Sequence, residues 1–322
     1  MGKPPWSSGQ TWASYIFGIL TVLVIVLLIP HTNWHALLAR PTGPWLTGFL
    51  PALTIVIAAS GLSWANAAAD YRRYLPRSAR SSSIVWSTTL GGAIPLIILM
   101  LTGTLLATHE STLATAANPI GVIQAALPAW AAVPYLIAAA GELIVEADLS
   151  LYSSGLNLLN MFVPFARYKT VAIDAGLMAL GTVHVVLIAQ NFIGPFESFI
   201  VLLGVGLAAW AGIFLAHQFW RSGRSKEAYP QALLYDAKAS DGRVRGGVSW
   251  AAIISWLVAV GVGLLFTTSP FFSGPLATGI FAESSLEVVF AFVVGAVLCL
   301  ILTSGWRGDI AASDAGVPTS GR

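Results

Sequence analysis

The sequence predicts an all-α integral membrane protein of about eight transmembrane helices. Three observations carry that prediction. Of 322 residues, 56% are apolar and only 9% are charged, where a soluble domain carries roughly 25% charged residues. Apolar runs approaching or exceeding the ~20 residues needed to cross a hydrocarbon core recur eight times. The lysines and arginines also segregate by loop, as the positive-inside bias requires.

The first run, 12–29, follows an N-terminus (Met1-Gly2-Lys3-Pro4-Pro5-Trp6) too short for a signal peptide's charged region and cleavage site. It therefore reads as a spanning helix. The others lie near 46–69, 83–107, 131–162, 171–190, 196–219, 249–267 and 285–304. Pro30, Pro76, Pro164, Pro195, Pro270 and Pro275 stand in the connections as helix stops. Residues 1–306 thus form one membrane region. The tail 307–322, rich in Gly, Ser and Ala, is expected to be disordered.

With the N-terminus inside, one set of loops holds Arg72, Arg73, Arg77, Arg80, Arg167, Lys169, Arg221, Arg224, Lys226, Lys238, Arg243 and Arg245, and Lys3, Arg307 and Arg322 fall on that side too. The opposite loops hold Arg40 alone. One miscounted helix would scramble this pattern, so eight spans with both termini cytoplasmic are predicted, in a plasma or inner membrane. The stretch 220–247 is the one long polar loop and reads as a solvated cytoplasmic connector.

Several function classes find no support. The net charge of +2 is too small to argue for nucleic acid. Cys299, the sole cysteine, has no disulfide partner within the chain and reads as a small lipid- or core-facing residue. There is no P-loop, metal-binding His/Glu helix motif or nucleophile elbow. No enzyme, resident metal or cofactor is expected. His184 lacks metal-ligand neighbours and reads as a hydrogen-bonded structural histidine. Glu197 and Glu287 lie near predicted outer helix ends and read as wet.

Ionisable residues at membrane depth are costly and mostly functional. The fourth span carries three: Glu142, Glu146 and Asp148. Glu142 and Glu146, four apart, share a helix face that Ser153, Asn157 and Asn160 continue. Asp148 points roughly 200° from Glu146 at about 100° per residue. Three carboxylates in one apolar helix cannot all face lipid. In a bundle interior or water-filled cavity they can bind a cation, carry a proton or accept hydrogen bonds from a substrate. The plain alternative is a helix end near the outer interface. It weighs more for Glu142 than for Glu146 and Asp148, which lie deeper.

The second span reads Ala58-Ala59-Ser60-Gly61-Leu62-Ser63-Trp64-Ala65-Asn66-Ala67. Small residues around Gly61 permit close helix packing, the plainer reading. They equally permit an unwound stretch whose backbone binds substrate. Trp64 is a stacking surface for a planar ligand or an ordinary packing or interface residue.

From Ser63 to Pro76 the chain (Ser-Trp-Ala-Asn-Ala-Ala-Ala-Asp-Tyr-Arg-Arg-Tyr-Leu-Pro) resembles a signature of the nucleobase:cation symporter-1 family, especially its purine–cytosine permease branch. That signature follows the family's sixth helix. Residues 149–159 resemble its eighth helix, and residues 246–252 resemble the start of its eleventh. The resemblance implies a twelve-helix protein built on two inverted five-helix repeats. Members import cytosine, purines, hydantoins, allantoin or related compounds with sodium ions or protons.

The eight runs then correspond to helices five through twelve. The family's ligand lies between the broken first helix, the third, the broken sixth and the eighth, and its coupling ion joins the first and eighth. Only the helices with Gly61 and Glu146 have counterparts here. The resemblance therefore implies a misplaced start, a truncated product, or a separate polypeptide that supplies the remaining helices.

Carried over residue by residue, substrate contacts fall to Ser60, Gly61, Leu62, Ser63 and Trp64, together with Glu146 and Ser153. Cation or proton coupling falls to Glu142, Glu146 and Asp148. Where many relatives place asparagine amides, this chain has Glu146 and Ala147, a carboxylate able to accept from an amino group or ring N–H. The resulting expectation is a cation-coupled nucleobase permease in a lipid bilayer. Its rivals are a non-transporting scaffold or remnant bound to another permease and, more remotely, an intramembrane enzyme using the three carboxylates.

Overall fold

The structure, a computed structural model, describes residues 7–65, 68, 75–76, 78–113, 116, 118–160, 166–188, 193–222, 244–245 and 248–303. Helices dominate, because a chain in hydrocarbon must satisfy its backbone polar groups within itself. α1 (Ser7–Leu28) ends in a 3₁₀ turn, Ile29–His31, containing the stop residue Pro30. A short α2 (Trp34–Leu38) starts where the Asn33 side chain accepts from the Ala36 N–H at 2.9 Å.

α3 (Trp45–Ala65) is a composite of two π-wound stretches, Trp45–Phe49 and Ile57–Leu62, alternating with regular turns. Then come α4 (Ser81–His109), α5 (Pro119–Ala126), α6 (Ala129–Asn160) and α7 (Arg167–Val183), the last continuing as a π stretch, His184–Ile188. α8 (Ile193–Ser222) precedes a two-residue hairpin of β1 (Val244–Arg245) and β2 (Val248–Ser249). α9 (Trp250–Phe266) is followed by a second hairpin, β3 (Thr268–Ser269) with β4 (Phe272–Ser273). α10 (Ile280–Glu283) and α11 (Glu287–Thr303) complete the described chain.

Among the described residues, each of the eight apolar runs coincides largely with a helix. Six of these helices are long and apolar enough to cross a membrane, while α9 and α11 are apolar but shorter, at 17 residues each. Helices of this length and apolarity make this an all-α integral membrane protein. The predicted connector, apart from its ends, the tail 307–322 and Asp70–Tyr74 lie outside the described residues.

Two compact units divide the chain. The first takes 1–42 and 67–193, and Leu28, Leu106, Leu127 and Ala131 form its buried core. Its α1–α6 contact is close: a Cβ on Gly141 would come within 2.2 Å of the Phe17 ring. At the α6–α7 contact, a Cβ on Gly155 would lie 2.8 Å from Val171.

The second unit takes 43–66 and 194–322, and its core joins Val205, Ala208 and Ala209 of α8 to Ala259 of α9 and to Val288 and Ala291 of α11. Small residues let these backbones approach, which is how helices associate without a hydrophobic driving force. A Cβ on Gly212 would meet the Phe292 carbonyl oxygen at 2.2 Å, and one on Gly295 would meet that of Ala209 at 2.8 Å. The loop after α9 folds back on it, with the N–H groups of Gly274 and Leu276 donating to the carbonyls of Thr267 and Leu265.

Two readings of single residues need correction. Glu287 is not wet: it is 1% exposed, because α11 starts inside the packed core rather than above it. His184, read as a hydrogen-bonded structural histidine, is exposed and makes no hydrogen bond among the described residues. Glu197 is half-buried, while Cys299 is buried and free.

Candidate functional site

α6 sets the carboxylates of the first unit. Glu142 is residue 14 of its 32, counting from Ala129, so it lies at mid-helix and not at an interfacial end. Its Oε1 accepts from the Thr21 hydroxyl of α1 at 2.9 Å. It also lines a cavity of about 210 Å³ between α1, α4, α5 and α6. The walls are chiefly apolar, with Thr21, Thr102, Tyr135 and Glu142 as the polar side chains. A few convergent polar groups on an apolar wall are the usual make-up of a small-molecule or water site.

The predicted stripe does not stay in one environment. Glu146 and Asp148 are exposed and make no hydrogen bond or ion pair among the described residues. Ser153 is 5% exposed and lies close to the α6–α7 contact at Gly155. One helix face thus passes from a paired carboxylate, through an open one, to a buried hydroxyl. Sequence spacing places these residues on one side but does not tell what packs against that side. The Thr21 partner, 121 residues away, has no signature in the sequence.

α3 sets the second group, in the second unit. Its small-residue cluster serves two ends. Ala58 is the packing residue, 3% exposed, and a Cβ on Gly204 of α8 would lie 2.8 Å from its own Cβ. Gly61, where close packing was the plainer expectation, has nothing within 4 Å of an added Cβ. The helix there is π-wound rather than unwound, and short π stretches are rare and frequent at functional sites.

The hydroxyls of Ser60 and Ser63 donate to the carbonyls of Val56 and Ala59, each at 2.6 Å. These bonds satisfy the hydroxyl hydrogens locally and leave the oxygens able to accept. Leu62 packs against the core, while Trp64 is 39% exposed. An open glycine backbone with an indole three residues on offers a flat, partly polar surface suited to a planar ring.

The structure therefore gathers Ser60 to Trp64 on one element, and Glu142, Glu146, Asp148 and Ser153 on another. No group of three or more His, Cys, Asp or Glu placed to hold a metal occurs among the described residues. Glu287 is the ionisable residue whose setting sequence reasoning misjudged. Its place beside Ser284 and Ser285, at the head of an apolar run, reads equally well as a helix end in water.

Residues 8–295 match the family described as permeases for cytosine and purines, uracil, thiamine and allantoin. The chain is also similar to YxlA of Bacillus subtilis (strain 168), a protein named provisionally as a purine-cytosine permease. The two are 27% identical over 299 residues, which is 91% of this chain and 62% of that protein. The chain thus spans less than two thirds of that relative's length. No solved structure gives a significant match. A match over most of the chain, on a fold of apolar membrane-length helices, makes this chain a member of the cytosine and purine permease family.

Proposed function

We propose that the chain forms the larger part of a secondary transporter for cytosine, a purine or a related nucleobase- or hydantoin-like compound, coupled to a sodium ion or a proton. The observation that carries this reading is Glu146. It is residue 18 of the 32 in an apolar membrane helix, exposed, and without a hydrogen bond among the described residues. A carboxylate at that depth costs about 2.5–3.5 kcal/mol in lipid, so a cavity, an ion or a ligand must face it.

Glu146 accepts from ring N–H or amino groups of the substrate. Within the second unit, taken by itself, Gly61 and Trp64 offer a backbone and a ring face to a planar ligand, flanked by Ser60, Leu62 and Ser63. Ser153 extends the polar stripe toward the α6–α7 contact. Glu142, Glu146 and Asp148 are the groups assigned to the coupling ion. Further helices, matching the portion of the relative outside this alignment, cover the carboxylate face in the bilayer. The assembly sits in the plasma or inner membrane with both termini cytoplasmic.

The test is carbodiimide labelling of Glu146 in native membranes, read by mass spectrometry with and without cytosine. Ligand-dependent protection of Glu146 is expected. Equal labelling with cytosine, adenine, uracil and hydantoin would sink the assignment.

A further inference from the structure

A buried carboxylate without a partner points to an occupant. Glu287, first residue of α11, is 1% exposed, and neither carboxylate oxygen has a hydrogen-bond partner among the described residues. Its own backbone N–H is the polar group set beside it. Three residues upstream, Ser284 is fully buried and its hydroxyl is likewise unpartnered among the described residues. Between them Ser285 holds φ +46°, the one non-glycine positive φ among the described residues. Three buried oxygens without hydrogen-bond partners among the described residues thus belong to two residues three apart, at the start of α11.

The charge balance narrows what the occupant is. Residues 43–66, 194–219 and 248–303 contain no lysine or arginine; the cations of this unit fall in 220–247 and 304–322, which in sequence adjoin the C-terminal ends of α8 and α11 and the N-terminal end of α9, not the start of α11. The N-terminus of α11 supplies roughly +0.5 elementary charge, which favours a carboxylate there but leaves it underneutralised. The backbone at Glu287 is set among apolar groups: a Cβ on Gly263 would lie 3.2 Å from the Glu287 carbonyl oxygen, 2.5 Å from Val205 and 3.1 Å from Ala291, and the hydroxyl of buried Thr267 donates to the Gly263 carbonyl at 3.0 Å. Glu283, the other carboxylate on this stretch, is exposed. A proton on Glu287 would neutralise the charge but leave the Ser284 hydroxyl and one carboxyl oxygen unmet. A single hard cation is the kind of ligand that takes a carboxylate and a hydroxyl oxygen together. One carboxylate balances one positive charge, whereas a divalent ion would leave a net charge buried.

We propose that Glu287 and Ser284 form a binding site for a monovalent alkali cation in the second unit. This goes beyond the transport reading, because it concerns cation binding to this unit with or without a substrate. The test is thermal unfolding of the purified chain in detergent at constant pH and ionic strength, with choline chloride replaced stepwise by sodium or potassium chloride. A saturable rise in the unfolding midpoint is expected. Glu287→Gln abolishes that rise whatever its own basal midpoint. Ser284→Ala raises the half-saturating salt concentration roughly tenfold or more, and Ser284→Thr, which keeps the hydroxyl, restores it. If Glu287→Gln does not fold, the Ser284 pair decides. No rise with either cation, or an equal rise in Glu287→Gln, overturns the site. A stabilisation that follows pH and ignores both cations overturns it in favour of a bound proton.

Discussion

A methyl group added at Gly61 meets nothing within 4 Å, while one added at Gly204 comes to 2.8 Å from the Ala58 methyl. Both glycines lie in apolar helical runs, and their letters carry no hint of the difference. Gly204→Ala is expected to destabilise the purified protein by about 1–3 kcal/mol through overpacking. Gly61→Ala is expected to be neutral or to stabilise by up to about 1 kcal/mol, since alanine favours helix. Thermal unfolding of the two variants checks the order. In a cytosine-binding assay the order reverses: the Gly61 variant weakens binding because its methyl stands on the open face, while folded Gly204→Ala binds normally. Equal binding by both variants would remove Gly61 from the site.

Helix contacts in this chain differ in what would have to move. At the α1–α6 contact the obstacle to a larger Gly141 is the far end of the Phe17 ring, which can swing. At the α8–α11 contact the obstacle to a larger Gly212 is the Phe292 backbone carbonyl, which cannot. Gly141→Ala should therefore cost about 1 kcal/mol and be rescued by Phe17→Leu. Gly212→Ala should cost about 3 kcal/mol and resist rescue by any side-chain change at 292. A double-mutant series followed by thermal unfolding separates the two cases.

At this scale the sequence was most legible. Apolar length marks the six helices long enough to cross a membrane to within about five residues at their described ends, because the bilayer sets the length such a run must meet. The π windings of α3 and α7 were not legible, because a local change from four- to five-residue hydrogen bonding leaves no mark in the apolar pattern. Nor was the burial of Glu287. Adjacent serines suit a wet loop as well as a polar pocket, and only the fold of the loop over α9 decides between them.

For the whole molecule, the placement of cations predicts one orientation. In a Cys299→Ser background, Arg40→Cys should react with a membrane-impermeant maleimide on intact cells. Lys238→Cys should react only after the cells are opened. The reverse pattern would invert the topology and shift every depth argument made for α6. The lengths of the helices carry a further consequence. α9 and α11, at 17 residues each, span about 25 Å, while α8, at 30 residues, spans about 45 Å. A hydrocarbon core of about 30 Å matches neither. The short pair leaves the bilayer to thin beside it or the apolar loop between them, with exposed Phe271, Phe272 and Ile280, to make up the missing depth, and the long helix must lean. Lipid chain length therefore acts on this unit as a mechanical load, drawing it toward thinner membranes and tying the tilt of α8 to the acyl chains around it.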